Sequence, residues 1–125
     1  SLYSSISQIH EVKEGESVGY NRAFIAKENC RIGIVPIGHA DGISRSIGNR
    51  KGKVFVNNSL CDIIGNVCMD MIMIEINDEN IKEGDKVILF DENSQNSEKF
   101  ANYSNTISYE VLTSISKRIK RKFIF

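Results

Sequence analysis

The sequence predicts a mainly β domain, a Greek-key-like barrel or sandwich of six or more short strands with one or two short helices at its C-terminal end. Its apolar runs are short, rich in β-branched residues and bounded by glycine, asparagine or aspartate, as in residues 32–37, 54–56 and 60–64. Helical spacing is found only near the end, where Val111, Ile115 and Ile119 recur at every fourth position. With 125 residues, the chain has the size of one domain, residues 1–125.

The first half of the chain predicts three strands. Residues 2–12 alternate raggedly between apolar and polar side chains, which favours one edge strand. A short strand is predicted to lead from Tyr20 to Ala26, and residues 32–37 are predicted to form a buried strand. The pair Asp41-Gly42 then tolerates a positive φ, so we expect the chain to reverse there. Residues 46–53 are predicted to form a loop.

The second half predicts a hairpin, further strands and the helices. Residues 54–56 and 60–64 flank Asn57-Asn58, a pair that favours a tight turn. Residues 67–76 are predicted to form one long strand that is buried on both faces, and residues 86–90 another, after a turn at 83–85. Residues 91–96, which contain no apolar side chain, predict a mobile loop. Ser97 and Ser108 are candidate caps for two helices.

Composition excludes several classes of function. The 16 basic and 16 acidic residues cancel, so no overall charge favours nucleic acid, and the five basic residues within 117–122 predict a solvated helix face. No apolar run approaches the roughly 20 residues of a membrane span, and no signal peptide is visible. The three cysteines contain no CxxC pair, which predicts neither a disulfide framework nor a metal site. We therefore expect a cytoplasmic protein that does not bind membranes.

Four motifs follow one another in a recognisable order. They read GESVGY at residues 15–20, PIGHADG at 36–42 with Arg45 shortly after, IGNVCMD at 64–70 and TISYEVL at 106–112. Together they resemble the C-terminal domain of alanine racemase, a member of the fold-type III racemases that depend on pyridoxal 5′-phosphate (PLP). The resemblance covers nearly all of the chain.

The resemblance implies an isomerase that interconverts L-alanine and D-alanine by two-base transfer of the α-proton and supplies D-alanine for peptidoglycan. Tyr20 would be the catalytic base on one face of the substrate, acting at the partner's active site in a homodimer. A lysine that also forms the Schiff base with PLP would serve the other face. In the family, this lysine belongs to an N-terminal TIM-type barrel of about 250 residues. No lysine here has a matching context, so the chain alone is expected to be inactive.

The same resemblance implies roles for five further residues. The backbone N–H of Met69 would bind the substrate carboxylate with support from Asp70, and the Tyr109 hydroxyl would bind the PLP phosphate. His39 stands where the family usually has tyrosine, at the inner neck of the substrate channel. Arg45 is placed near the mouth of that channel. Judged from the residue types alone, Tyr20 and Tyr109 are expected to be packing residues and Met69 a core methionine.

Two other functions remain compatible with the residues alone. One is a non-catalytic β-barrel binding module. The other is a related PLP-dependent amino-acid racemase or decarboxylase with a similar two-domain plan. Fusion of the parent protein to a Mur ligase, which occurs in some proteins that carry this domain, also stays open.

Overall fold

The computed structural model describes residues 2–18, 24–92, 95 and 100. These residues form nine strands and two short 3₁₀ helices, His39–Asp41 and Arg45–Ile47. The strands are β1 Leu2–Ser5, β2 Gln8–Val12, β3 Ser17–Val18, β4 Phe24–Ile25, β5 Cys30–Val35, β6 Lys53–Val56, β7 Ser59–Ile64, β8 Ile72–Ile76 and β9 Lys86–Phe90.

Seven strands form one antiparallel sheet in the order β1-β9-β6-β7-β8-β5-β2. The sheet curls into a half-barrel, so that its two outermost strands, β1 and β2, meet where the chain passes from one to the other. At this junction the Ile6 N–H donates to the Asp85 carbonyl (3.0 Å) and the Ser7 N–H to the Ile34 carbonyl (2.8 Å). The mainly β fold class predicted from the sequence is confirmed.

The curled sheet carries apolar side chains on both faces. The larger cluster fills the inside of the curl and includes Val35, Ile63, Ile72 and Ile74. A smaller cluster lies on the other face of β5, β7 and β8, and its buried members are Val12, Phe24, Ala26, Ile32, Ile64 and Met73. The antiparallel pair β3–β4, which we call the β3–β4 ribbon, covers this second cluster. Burial on both faces, predicted for the strand before Ile76, is confirmed for β8.

The hairpin predicted around Asn57-Asn58 is confirmed. β6 pairs with β7, and both asparagines have positive φ values of 51° and 64°. The turn before β9 is also confirmed, with Gly84 at a φ of 90°. Both turns depend on residues that tolerate the left-handed region, which is a local property of the sequence.

The prediction of a single edge strand over residues 2–12 was wrong. The structure contains two strands, separated by Ile6 and Ser7, that pair with different partners: β1 with β9 and β2 with β5. The chain changes partner at Ile6, whose side chain is 1% exposed and packs inside the curl. Two outermost strands therefore replace the predicted one.

The predicted long strand over residues 67–76 was also wrong in its first half. Only Ile72–Ile76 forms a strand, whereas residues 66–71 form a loop, which we call the site loop. The Cys68 N–H donates to the Met71 carbonyl (3.0 Å), so the backbone folds back on itself instead of extending. Met69 is consequently 57% exposed rather than buried in a strand.

Three smaller differences concern single elements. The buried strand predicted over residues 32–37 is β5, which covers Cys30–Val35 and ends before Pro36, a residue with no N–H to donate to a neighbouring strand. The loop predicted at 46–53 begins inside the 3₁₀ helix Arg45–Ile47. Gln95, predicted to lie in a mobile loop, is 3% exposed, and its Nε2 donates to the carbonyls of Lys53 (2.8 Å) and Leu89 (2.6 Å).

The end of the chain is described at one position only. Phe100 is helical and buried, and its ring packs against Phe90 with 5.8 Å between the centroids. The predicted caps Ser97 and Ser108 and the rest of the two predicted helices lie outside the described residues. Within the described part of the chain, no helix has the length and apolar character needed to cross a membrane.

Candidate functional site

The site is built around the turn that follows β5. The chain leaves the strand at Val35 and enters the 3₁₀ helix His39–Asp41, and Gly42 then reverses it with a φ of 98°. Asp41 is fully buried, and its Oδ2 accepts a hydrogen bond from the Gly38 N–H at 3.0 Å. The carboxylate thus holds the turn closed, because it pairs with a backbone donor that the tight bend would leave without a partner.

The site loop packs directly against this turn through backbone atoms. The His39 N–H donates to the Cys68 carbonyl (2.8 Å), and the Ala40 N–H donates to the Met69 carbonyl (2.7 Å). Contact is closest at Gly38, where a methyl group would lie 2.5 Å from the Cys68 carbonyl oxygen and from the Met71 nitrogen. Only glycine leaves room for the loop at this distance, so Gly38 determines where Met69 lies.

A second glycine contacts the beginning of the same loop. A methyl group on Gly48 would lie 2.7 Å from the Gly65 carbonyl oxygen and 3.2 Å from the Val67 nitrogen. Next to it, the Asn49 N–H donates to the Gly65 carbonyl (2.8 Å), and Asn49 Nδ2 donates to Asn66 Oδ1 (3.2 Å). The site loop is therefore held from two directions by neighbouring turns.

His39 and Arg45 lie at the two ends of the segment that supports the loop. The Nδ1 of His39 is 3.2 Å from the Ile43 carbonyl oxygen; because a carbonyl can only accept, Nδ1 carries the proton. Arg45 begins the second 3₁₀ helix, after Ser44, whose hydroxyl accepts the Ser46 N–H. Both side chains are exposed.

Arg45 and the site loop line one open cavity of about 550 Å³. Its other lining residues are Asn66, Val67, Cys68 and Met69. Among the described residues, no backbone carbonyl accepts the Met69 N–H. An arginine side chain and a backbone N–H are groups that bind a carboxylate or a phosphate.

The structure brings four of the six candidate site residues into one region: Met69, Asp70, His39 and Arg45. Asp70 follows Met69 in the site loop and is exposed. Tyr20 and Tyr109 lie outside the described residues. In the sequence, Tyr20 falls between the end of β3 at Val18 and the start of β4 at Phe24, so it belongs to the connection of the β3–β4 ribbon.

The described residues fit a cofactor site only in part. The cavity has the volume typical of sites for small molecules and cofactors. The described residues that line it include no lysine. No cluster of histidine, cysteine or acidic side chains suited to a metal ion exists among the described residues.

Sequence reasoning missed several residues that hold the site together. Gly38 stood inside a recognised motif, but its contact with the site loop cannot be read from neighbouring residues. Asn49 and Arg50 lie in the segment that was predicted only as a loop, and the structure shows that both have positive φ values, 54° and 71°. The asparagine was the available signal, because asparagine is common in left-handed turns.

The chain matches known proteins over nearly its full length. The family model described as alanine racemase, C-terminal domain, matches residues 1–123. An alanine racemase from Helicobacter pylori (strain G27) is 42% identical over 127 aligned residues, which cover 99% of this chain and 33% of that protein. Another, from Staphylococcus epidermidis (strain ATCC 12228), is also 42% identical, over 99% of this chain and 32% of that protein.

Solved structures show the same fold. An alanine racemase from Clostridium difficile 630 in complex with cycloserine superposes with a TM-score of 0.86 at 38% identity, over 94% of this chain and 31% of that one. The alanine racemase from Bartonella henselae with covalently bound pyridoxal phosphate gives a TM-score of 0.89 at 34% identity, over 98% of this chain and 34% of that one.

The chain belongs to the class of mainly β domains that form a curled antiparallel half-barrel, and its candidate site lies in the turns after β5 and β7. The chain is a member of the alanine racemase C-terminal domain family. The matches do not support either alternative, a stand-alone binding module or a different PLP-dependent enzyme. The chain spans about one third of the length of the curated relatives it matches.

Proposed function

We propose that this chain supplies one catalytic half of an alanine racemase, which interconverts L-alanine and D-alanine with PLP as cofactor and provides D-alanine for peptidoglycan in the cytoplasm. The observation that carries the proposal is the cavity that Arg45 and Met69 both line. Membership of the alanine racemase family supports it, because the relatives are alanine racemases and one related structure holds covalently bound PLP.

Each candidate residue has a proposed role in the reaction. The Met69 N–H binds the substrate carboxylate, and Asp70 supports the loop that presents it. Arg45 lies at the mouth and attracts the carboxylate, while His39 lines the neck of the channel. Tyr109 binds the cofactor phosphate through its hydroxyl. The roles of Arg45 and Met69 are supported by the cavity that both residues line and by the absence of a backbone acceptor for the Met69 N–H among the described residues.

Tyr20 moves the α-proton on the L-alanine face of the substrate. Bound PLP supplies an electron sink that stabilises the negative charge left at the α-carbon. A phenol has an ordinary pKa near 10, so Tyr20 needs surroundings that favour its ionised form to act as a base. A lysine outside this chain serves the D-alanine face and also holds PLP.

Tyr20 acts at the active site of a second subunit in a homodimer. Ile25 in β4, five residues after Tyr20 in the sequence, is 51% exposed and is available for contact with another subunit. Contact with another subunit would remove this apolar side chain from water.

The test is Tyr20→Phe in the full-length protein, followed by proton NMR in heavy water. The substitution keeps the ring and removes the hydroxyl, so we expect racemisation in both directions to fall by about 10²–10⁴-fold. Exchange of the L-alanine α-proton should fall equally. Exchange at D-alanine should persist, because the lysine can remove the proton and return deuterium to the same face.

Tyr3→Phe is the matched control. Tyr3 lies in β1, does not line the cavity, and has its ring centroid 4.2 Å from the Lys86 Nζ, so losing its hydroxyl should leave both exchange rates unchanged. Equal loss of both exchanges in Tyr20→Phe, in a protein that still binds PLP, would show that Tyr20 organises the site and is not a base on one face.

A further inference from the structure

Arg50 has a backbone conformation that is unusual for its residue type. Its φ is 71°, directly after Asn49 at 54°. Asparagine adopts the left-handed region readily, whereas a long side chain such as arginine is uncommon there. The Arg50 N–H donates to the Ile63 carbonyl (2.7 Å), which attaches this turn to the end of β7. A strained residue held so firmly suggests that its side chain has a role.

From this turn, the Arg50 side chain extends over the outer face of the sheet, which is the face that carries the smaller apolar cluster. Its two terminal nitrogens bind the two carboxylate oxygens of Glu75 on β8, both at 2.9 Å, and one of them also binds Asp62 on β7 at 3.0 Å. This two-pronged geometry suits arginine but not lysine. Lys53 binds the other carboxylate oxygen of Asp62, so the four charges balance and the cluster is not an anion site.

The same guanidinium covers the ring of Phe24 in β4, with 5.6 Å between the Arg50 Cζ and the ring centroid. This is within the range of a cation–π contact. Phe24 is 9% exposed and packs in the cluster on the outer face that also contains Ile64 and Met73. Its neighbour Ile25 is 51% exposed, so Phe24 is the residue that fixes β4 to the sheet.

The β3–β4 ribbon depends on such side-chain contacts. In the described part of the chain, β3 and β4 pair only with each other and form a sheet separate from the seven-stranded one. The backbone closes the ribbon through the Gly15 N–H to the Ala26 carbonyl (2.8 Å) and the Ala26 N–H to the Glu16 carbonyl (3.0 Å). Arg50 therefore joins the ribbon to two strands of the main sheet.

The turn at Asn49 and Arg50 contacts both parts of the proposed site. Asn49 holds the start of the site loop at Gly65 and Asn66, and Arg50 holds the ribbon at Phe24. We propose that Arg50 is a positioning residue, which fixes the β3–β4 ribbon on the main sheet; in the sequence, Tyr20 falls between the two strands of this ribbon. This inference rests on the proposed function, in which Tyr20 serves one face of the substrate.

The experiment compares Arg50→Met, Arg50→Lys and the matched control Lys53→Met in the full-length protein. Lys53→Met removes the other cation from Asp62 but leaves the contacts of Arg50 with Glu75 and Phe24 intact. Two readouts are measured in heavy water: α-proton exchange of each alanine enantiomer, and backbone amide exchange, by mass spectrometry, of peptides covering residues 13–27.

We expect Arg50→Met to slow exchange at L-alanine by about tenfold to a hundredfold, since a displacement of about 1 Å can have an effect of this size. Exchange at D-alanine should change by less than about twofold, and amide exchange at Gly15 and Ala26 should become faster. Arg50→Lys should restore the charge but not the two-pronged contact, and fall between wild type and Arg50→Met. Lys53→Met should match wild type in both readouts.

Unchanged amide exchange in the ribbon, or equal loss of exchange at both enantiomers, would overturn the inference. If the wild-type protein racemises nothing, the proposed function fails, and the amide exchange of residues 13–27 then decides alone whether Arg50 holds the ribbon. The two proposals can therefore fail separately.

Discussion

Gly38 is the residue on which the position of the site loop depends most directly. Its φ of −148° is open to any amino acid, so the requirement for glycine comes from space and not from backbone strain. The nearest atoms to an added methyl group are backbone atoms of residues 68, 70 and 71, at 2.5–2.8 Å. Backbone cannot move aside as the end of a flexible side chain can.

We expect Gly38→Ala to lower the free energy of unfolding by about 1–3 kcal/mol, as overpacking typically does. Because the loop must shift, racemisation by the full-length protein should fall by more than about tenfold. Urea unfolding and the racemisation rate measure the two effects.

Gly84→Ala is the control for this change. Gly84 lies in the turn before β9 with a φ of 90° and open space around it, so an alanine there causes backbone strain of about 1–2 kcal/mol without a clash. It should lose stability but keep activity. Similar loss of activity in both variants would mean that reduced stability, and not the position of the loop, explains the effect of Gly38→Ala.

At the scale of the element, the β6–β7 hairpin is specified by its own two turn residues. Asn57 and Asn58 both lie in the left-handed region, the geometry of the two-residue turns that match the twist of paired strands. Asn57 also donates through Nδ2 to Asp85 Oδ2 at 2.9 Å, which connects this turn to the one before β9. Asn58 is exposed and makes no such side-chain bond among the described residues.

Asn58→Ala should therefore lower the free energy of unfolding by about 1 kcal/mol, because alanine tolerates a positive φ poorly. Asn58→Gly should leave stability unchanged or raise it, since Asn-Gly is the preferred pair for this turn. Thermal and urea unfolding of the two variants provide the comparison. Equal stabilities would show that packing around β6 and β7, and not the turn, specifies the hairpin.

For the whole molecule, the buried thiol of Cys61 links folding to alkaline pH. Burial raises the pKa of Cys61 from 9.0 to about 11, with smaller contributions from the nearby carboxylates of Asp62, Asp78 and Glu75. Above pH 9 the unfolded chain loses this proton while the folded chain keeps it. The contribution to stability is therefore complete below pH 9 and is lost as the pH rises towards 11.

Comparison of wild type with Cys61→Ala isolates this effect from other groups that titrate in the same range. The stability difference between the two proteins should shrink between pH 8.5 and pH 10.5, by up to about 1.4 kcal/mol per pH unit. Urea unfolding at both pH values measures it. A difference that stays constant would show that Cys61 is ionised equally in the folded and unfolded states.

Acid acts through a different group. Burial alone would raise the pKa of Asp62, but hydrogen bonds from Lys53 and Arg50 outweigh it and lower the pKa below its ordinary value of 3.8. The contribution of Asp62 to stability is therefore present above that value and is lost as the pH falls through the lowered pKa. The cluster that holds the ribbon is thus also sensitive to strong acid.

The sequence by itself determined what depends on neighbouring residues. It was sufficient for the fold class, for the β6–β7 hairpin and for the turn before β9, because turn residues and short apolar runs act locally. The four ordered motifs were also sufficient for the family. The roles of Tyr20 and Tyr109 were assigned from the resemblance to alanine racemases, and they remain predictions.

Only the tertiary structure decided which segments pair and where the site loop lies. Residues 2–12 keep the same alternation whether they form one strand or two, and the division arises because β1 and β2 pair with strands far away in the sequence. Residues 67–71 are mostly apolar, as in a buried strand, but the N–H groups of His39 and Ala40 donate to the carbonyls of Cys68 and Met69 and hold these residues in a loop. Arg50 contacts Asp62, Glu75 and Phe24 across 12 to 26 residues of sequence, and in its turn only Asn49 is a residue type that favours the left-handed backbone. Such contacts join residues that are far apart in the sequence, and the conformational preferences of neighbouring residues carry no information about them.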